Sequence, residues 1–61
     1  MSKLQRLASS YRHRAEELRM LAELDSCKET GTLLVYVATR YEEKAENADA
    51  IERSYNASML N

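Results

Sequence analysis

The chain has 61 residues, a net charge of −1 at neutral pH, no proline, one glycine and one cysteine. This length limits it to a single small domain, and a lone cysteine excludes an internal disulfide as reinforcement. The nearly balanced charge argues against nucleic-acid binding driven by overall charge. Because so small a core is marginal by itself, we expect reinforcement by association with another chain.

The first half of the chain carries apolar residues at spacings of three and four, the period of an amphipathic helix. They are Leu4, Leu7, Ala8, Tyr11, Ala15, Leu18, Leu21 and Ala22. The segment is rich in Ala, Leu, Glu and Arg, which favour helix formation. We therefore predict a helix over residues 3–24. Residues 1–24 contain five Lys or Arg and three Glu, a local charge of +2.

The stretch "DSCKETG" separates the two halves and is the only candidate for a turn. Ser26 followed three residues later by Glu29 has the pattern of a capping box at a helix start. This pattern predicts a turn at residues 25–26, with a looser connection reaching Thr30 as the alternative. A short turn makes the two helices antiparallel neighbours.

The second half repeats the helical rhythm and predicts a helix over residues 27–57. Its stripe contains Leu34, Val37, Ala38, Tyr41, Ala45, Ala48, Ile51 and Tyr55. Residues 33–38, "LLVYVA", are all apolar and have the length of a strand, but no second strand is available to pair with them. Residues 25–61 carry four basic and seven acidic residues, a charge of −3 that suits pairing with the basic half.

The predicted fold is therefore all-α: an antiparallel two-helix hairpin forming one domain over residues 1–61. Folding about the turn brings Tyr11 near Tyr41 and leaves Ile51 and Tyr55 close to or past the start of the first helix. Both stripes are used between the two helices. Arg14 and Lys44 interrupt them, with aliphatic stems that can cover the contact while the charges reach water.

Several large apolar residues lie outside the contact between the helices, mostly near the turn. An exposed cluster of this kind marks an interaction surface. A second copy of the hairpin would cover it and form a two-fold four-helix bundle. The predicted self-association interface comprises Met20, Leu24, Leu33, Val35, Tyr36, Ile51 and Tyr55.

Candidates for chemistry are few, and we predict no catalytic, cofactor-binding or metal-binding residue. His13 with Glu16 or Glu17 shares a helix face, as in carboxylate-bundle metal sites, but such sites need two such motifs and further carboxylates. The favoured interpretation is a solvated His13 paired with Glu17. Glu42, Glu43 and Glu46 fit a solvated acidic surface. Cys27 at a helix start beside Lys28 favours the thiolate, without a base to make it a catalytic nucleophile.

The words "YRHRAEELRMLAE" and "LLVYVATRYEEKAENAD", within residues 11–49, resemble a group of small alphaproteobacterial helical-hairpin proteins. Their approximate pattern is YRxRAEELRxLAE, a short turn, then LLxxAxxYExLAExA. Lys44 stands where that pattern has an apolar residue, Gly31 stands where it has a polar helix former, and the turn lacks its frequent proline. The resemblance implies a bacterial hairpin protein and no particular activity.

These features favour a non-enzymatic protein-interaction or regulatory module that forms a homodimer or binds another helical protein. One alternative is a nucleic-acid-associated regulator that uses the basic outer face of the first helix; the other is a metal-binding helical bundle. No apolar run approaches the roughly 20 residues that span a bilayer. The free cysteine and the absence of a signal-peptide pattern predict a cytoplasmic protein without membrane partners.

Overall fold

The computed structural model describes residues 2–60 and is all-helical, so the ends of the predicted domain, residues 1 and 61, lie outside the described residues. Helix α1 spans Lys3–Leu24 and helix α2 spans Lys28–Leu60. The two helices pack against each other as a hairpin about 52 Å long. The predicted helical hairpin is confirmed.

A capping box begins α1. The Ser2 hydroxyl accepts a hydrogen bond from the Gln5 amide, and the Gln5 side chain accepts one from the Ser2 amide. These two bonds satisfy donors that the first helical turn leaves without partners. The S-x-x-Q spacing of Ser2 and Gln5 is the sequence signal for this box.

The turn differs from the predicted capping box at Ser26. The Asp25 carboxylate accepts a hydrogen bond from the Cys27 amide at 2.8 Å, which folds the chain tightly between the helices. The Cys27 carbonyl then accepts from the Gly31 amide at 2.9 Å, the first helical bond of α2. Cys27 therefore occupies the N-cap position, and α2 begins one residue later than expected and continues three residues further.

Alanine fills the contact between the two helices. The buried apolar residues are Ala8, Ala15, Ala38, Ala45 and Ala48. Leu4 and Tyr11 pack at the edge of this alanine seam, half-buried. The prediction that the larger members of both stripes are used in the hairpin contact was wrong for Leu7, Leu21 and Val37, which are exposed. Ile51 and Tyr55, which were predicted to lie close to or past the start of α1 and in the self-association interface, are exposed as well.

The physical reason is the small size of the residues that face each other. Ala8, Ala15 and Ala22 recur every seven residues on α1, and Gly31, Ala38 and Ala45 recur at the same interval on α2. Side chains this short let the backbones approach closely: a Cβ added to Gly31 would lie 3.5 Å from the Ala22 carbonyl oxygen. At such close approach, the larger side chains project to either side of the seam.

The same geometry predicts that Gly31→Ala stabilises the protein. The added methyl group would meet Ala22 at ordinary van der Waals distance, and Gly31 lies within α2. Glycine inside a helix is about 1 kcal/mol less favourable than alanine. Urea unfolding at fixed protein concentration should show a gain of about that size. Gly31→Leu, which is too large for the gap, is the control and should destabilise the protein.

Helix α2 is longer than its partner. With 33 residues against 22, it extends past the start of α1, where Leu4 and Ala8 pack near Ala45 and Ala48. About ten residues, 51–60, form this extension, which we call the overhang; at 1.5 Å per residue it is about 15 Å long. Within residues 51–59 its large apolar side chains Ile51, Tyr55 and Met59 recur every four residues and are exposed.

Candidate interaction surface

Ion pairs connect α1 and α2 along one side of the hairpin. Arg19 binds Glu42 through two bonds, Nε to Oε2 at 3.3 Å and Nη2 to Oε1 at 2.6 Å. Arg12 binds Asp49 and also lies 3.9 Å from Glu46. The hydrogen bond from Arg19 lowers the pKa of Glu42 below the ordinary value of a glutamate. The basic first half and the acidic second half thus contact each other through ion pairs. We call this surface the ion-pair face; it comprises Arg12, Arg19, Glu42, Glu46 and Asp49.

Large apolar side chains occupy the opposite side. At 100° per residue, Leu33 and Ile51 point in the same direction on α2, about half a turn away from Glu42. We call this surface the apolar face; it comprises Leu7 and Leu21 of α1 with Leu33, Val37, Ile51 and Tyr55 of α2. All six are exposed, by 40% to 65% of their full surface. Within residues 2–59 the hairpin therefore leaves most of the large apolar side chains outside its own core.

Aromatic rings mark the middle of the apolar face. The rings of Tyr11 and Tyr41 lie 5.8 Å apart across the seam, as the sequence predicted. The Lys44 ammonium lies over both rings, at 5.8 Å from Tyr11 and 5.7 Å from Tyr41. This cation–π arrangement draws the charge of Lys44 toward its own hairpin.

All seven residues of the predicted interface are exposed, but helical geometry does not bring them together. Leu33, Ile51 and Tyr55 belong to the apolar face. Val35 points to the ion-pair side, where it lines a surface groove with Arg19. The remaining three, Met20, Leu24 and Tyr36, point outward on the backs of the two helices.

Leu7, Leu21 and Val37 were predicted to lie in the contact between the helices, but they are surface residues. The signal that identifies them is the seven-residue recurrence of small side chains. A stripe that contains both alanine and leucine packs most closely through the alanines, and the leucines are then left at its edge.

His13 lies against Glu17, with Nε2 3.3 Å from Oε1, which confirms the favoured interpretation of this histidine. Both side chains are largely exposed. Within residues 2–60, no three His, Cys, Asp or Glu side chains are grouped so that they could hold a metal ion. The same range contains no buried polar or charged side chain.

The thiol of Cys27 is exposed at the start of α2. Hydrogen bonding to the Thr30 hydroxyl, and then to the Thr30 and Glu29 amides, lowers its pKa below that of an ordinary cysteine. The thiolate is therefore stabilised in the folded state and persists to lower pH than in the unfolded chain.

Thr30→Val should move the pH profile of Cys27 alkylation by iodoacetamide to higher pH, because the principal donor to the thiolate is removed. The native chain unfolded in urea gives the profile of an unassisted thiol. Thr32→Val is the matched control, since the Thr32 hydroxyl donates to the Lys28 carbonyl at 2.9 Å. An unchanged profile in Thr30→Val would contradict the assigned cause.

The basic residues of α1 are only partly available to a nucleic acid. Arg12 and Arg19 are bound to carboxylates of α2, so two of the five basic residues of this helix serve the hairpin itself. As for membranes, neither helix has, within the described part of the chain, an apolar stretch long enough to cross a bilayer.

The described surface thus offers one ordered ion-pair face and one uncovered apolar face. Comparisons with models of protein families, with curated proteins and with solved structures found no match to this chain.

Proposed function

We propose that this hairpin is a non-enzymatic protein-interaction module that self-associates into a two-fold four-helix bundle through its apolar face. The observation that carries the proposal is the size of its surface. The single hairpin exposes 5003 Å² at a mass of 7.0 kDa. A compact monomer of this mass exposes about 4,000 Å².

The hairpin thus exposes about 1,000 Å² more surface than a compact monomer of its mass, and association would bury an area of this size. A standard protein interface buries about 800 Å² on each partner, so the two quantities match. The composition of the face supports the same conclusion, because leucine, valine, isoleucine and tyrosine side chains have more to gain from burial than the alanines of the seam. The exposed thiol of Cys27 suits a reducing compartment, and we place the module in the cytoplasm.

Sedimentation equilibrium, with reductant present and circular dichroism on the same samples, tests this proposal. We expect twice the chain mass at micromolar concentration and a loss of helicity on dilution, because dissociation removes the burial that stabilises the helices. A fully helical species of single-chain mass over the whole concentration range would refute self-association. The apolar face would then require a different protein as its partner.

A further inference from the structure

The four residues that α2 contributes to the apolar face form a symmetric pattern. Leu33 lies eleven residues before Lys44, and Tyr55 lies eleven residues after it. Val37 and Ile51 lie seven residues before and after the same lysine. The four apolar side chains point within about 40° of one another, since eighteen residues make five helical turns. Lys44 is also the midpoint of α2, which spans Lys28–Leu60.

A pattern that reads alike in both directions from its centre is complementary to itself when two helices run antiparallel. In a two-fold interface the same patch occupies both sides, so residue i contacts j and j contacts i. With the axis at Lys44, Val37 of one chain faces Ile51 of the other, and Leu33 faces Tyr55. An unrelated partner would give no reason for the spacing to be symmetric.

We infer that the occupant of the apolar face is a second copy of the chain, with α2 antiparallel to α2 and the two-fold axis at Lys44. This inference rests on the proposed self-association and adds its register. The turns of the two hairpins then lie at opposite ends of the dimer. The overhang of each copy lies over the turn end of the other, beside Leu21, Leu33 and Val37.

This register gives the overhang a partner. Residues 51–60 have no α1 residue opposite them in their own hairpin, and a helical segment of ten residues is marginal without tertiary contacts. Because the axis coincides with the midpoint of α2, the whole helix is paired and no part of it remains beyond the dimer. Ile51 and Tyr55, the exposed residues of the overhang that belong to the apolar face, become buried in the same step.

The register also brings Lys44 next to its symmetry mate. Arg40 lies four residues from Lys44 and points in nearly the same direction, so each chain brings two positive charges to the centre of the contact. These like charges repel each other and weaken the contact there. The cation–π contacts with Tyr11 and Tyr41 draw each ammonium back over its own hairpin and reduce this repulsion. Apolar contacts on either side of the axis therefore carry the association.

The native cysteine allows a direct test. Cys27 is exposed, is the only cysteine and lies seventeen residues from Lys44, so a nitroxide attached to it needs no other change to the chain. At 1.5 Å per residue each label lies about 25 Å from the axis, and pulsed dipolar spectroscopy should give a separation of about 50 Å. A Cys27→Ser, Asn47→Cys chain carries its label three residues from the axis and should give a separation under about 25 Å.

A separation well below 50 Å between labels at Cys27, in a species of dimer mass, would overturn this register and indicate that the turns lie at the same end. The proposed self-association would survive that result. Single-chain mass without dipolar coupling would overturn both. A long distance between labels at residue 27, together with a short distance between labels at residue 47, would support the antiparallel arrangement.

Discussion

Replacing Ala45 with leucine should unfold or strongly destabilise the hairpin. Ala45 is fully buried in the seam, where the helices approach each other through alanine. The three additional carbon atoms of leucine would force the helices apart, and the neighbouring alanine contacts would be lost at the same time. Overpacking of a tight core costs typically about 1–3 kcal/mol, and a domain of this size has little stability to lose.

Thermal unfolding followed by circular dichroism measures this effect, with all chains at one concentration because association shifts the midpoint. Ala50→Leu is the matched control: it makes the same exchange on the same helix, at an exposed position. We expect its midpoint to remain close to that of the native chain. Equal melting of the Ala45 and Ala50 variants would show that the seam is not closely packed.

Replacing Ile51 with glutamate should separate the dimer into monomers. Ile51 lies on the overhang, so it does not contribute to the packing of its own hairpin. In the proposed dimer, the substitution places one carboxylate at each of two symmetric contacts. Burying an unpaired charge is costly, and we expect the dissociation constant to rise by at least about 100-fold, roughly 3 kcal/mol. Sedimentation equilibrium measures this change.

Met20→Glu is the matched control, because Met20 is equally exposed but points outward on the back of α1. The two variants decide between two descriptions of the interface. If the apolar face is buried, only the Ile51 variant dissociates. If instead the Met20 variant dissociates and the Ile51 variant does not, the association uses the outer surface near the turn, and the proposed face is wrong.

The sequence by itself determined the elements of this fold and their direction. Two stretches of 3.6-residue periodicity separated by one short polar segment predict a helical hairpin. The opposite charges of the halves suit side-by-side packing, and the structure shows the individual ion pairs of Arg12 and Arg19 with α2. The contact of Tyr11 with Tyr41 follows from the length of the turn. Local periodicity and charge are properties of the chain that need no knowledge of packing.

Only the tertiary structure decided which part of each apolar stripe is buried. Periodicity gives the direction of a wide apolar stripe that includes both Ala15 and Leu21. It does not tell which of the two residues is buried. Between two helices the distance is set by the residues in closest contact, so alanine and glycine bring the backbones together and leave Leu21, Val37 and Ile51 outside. The apolar face is exposed because the distance between the helices is short. That distance depends on both helices together and cannot be read from the sequence of either one.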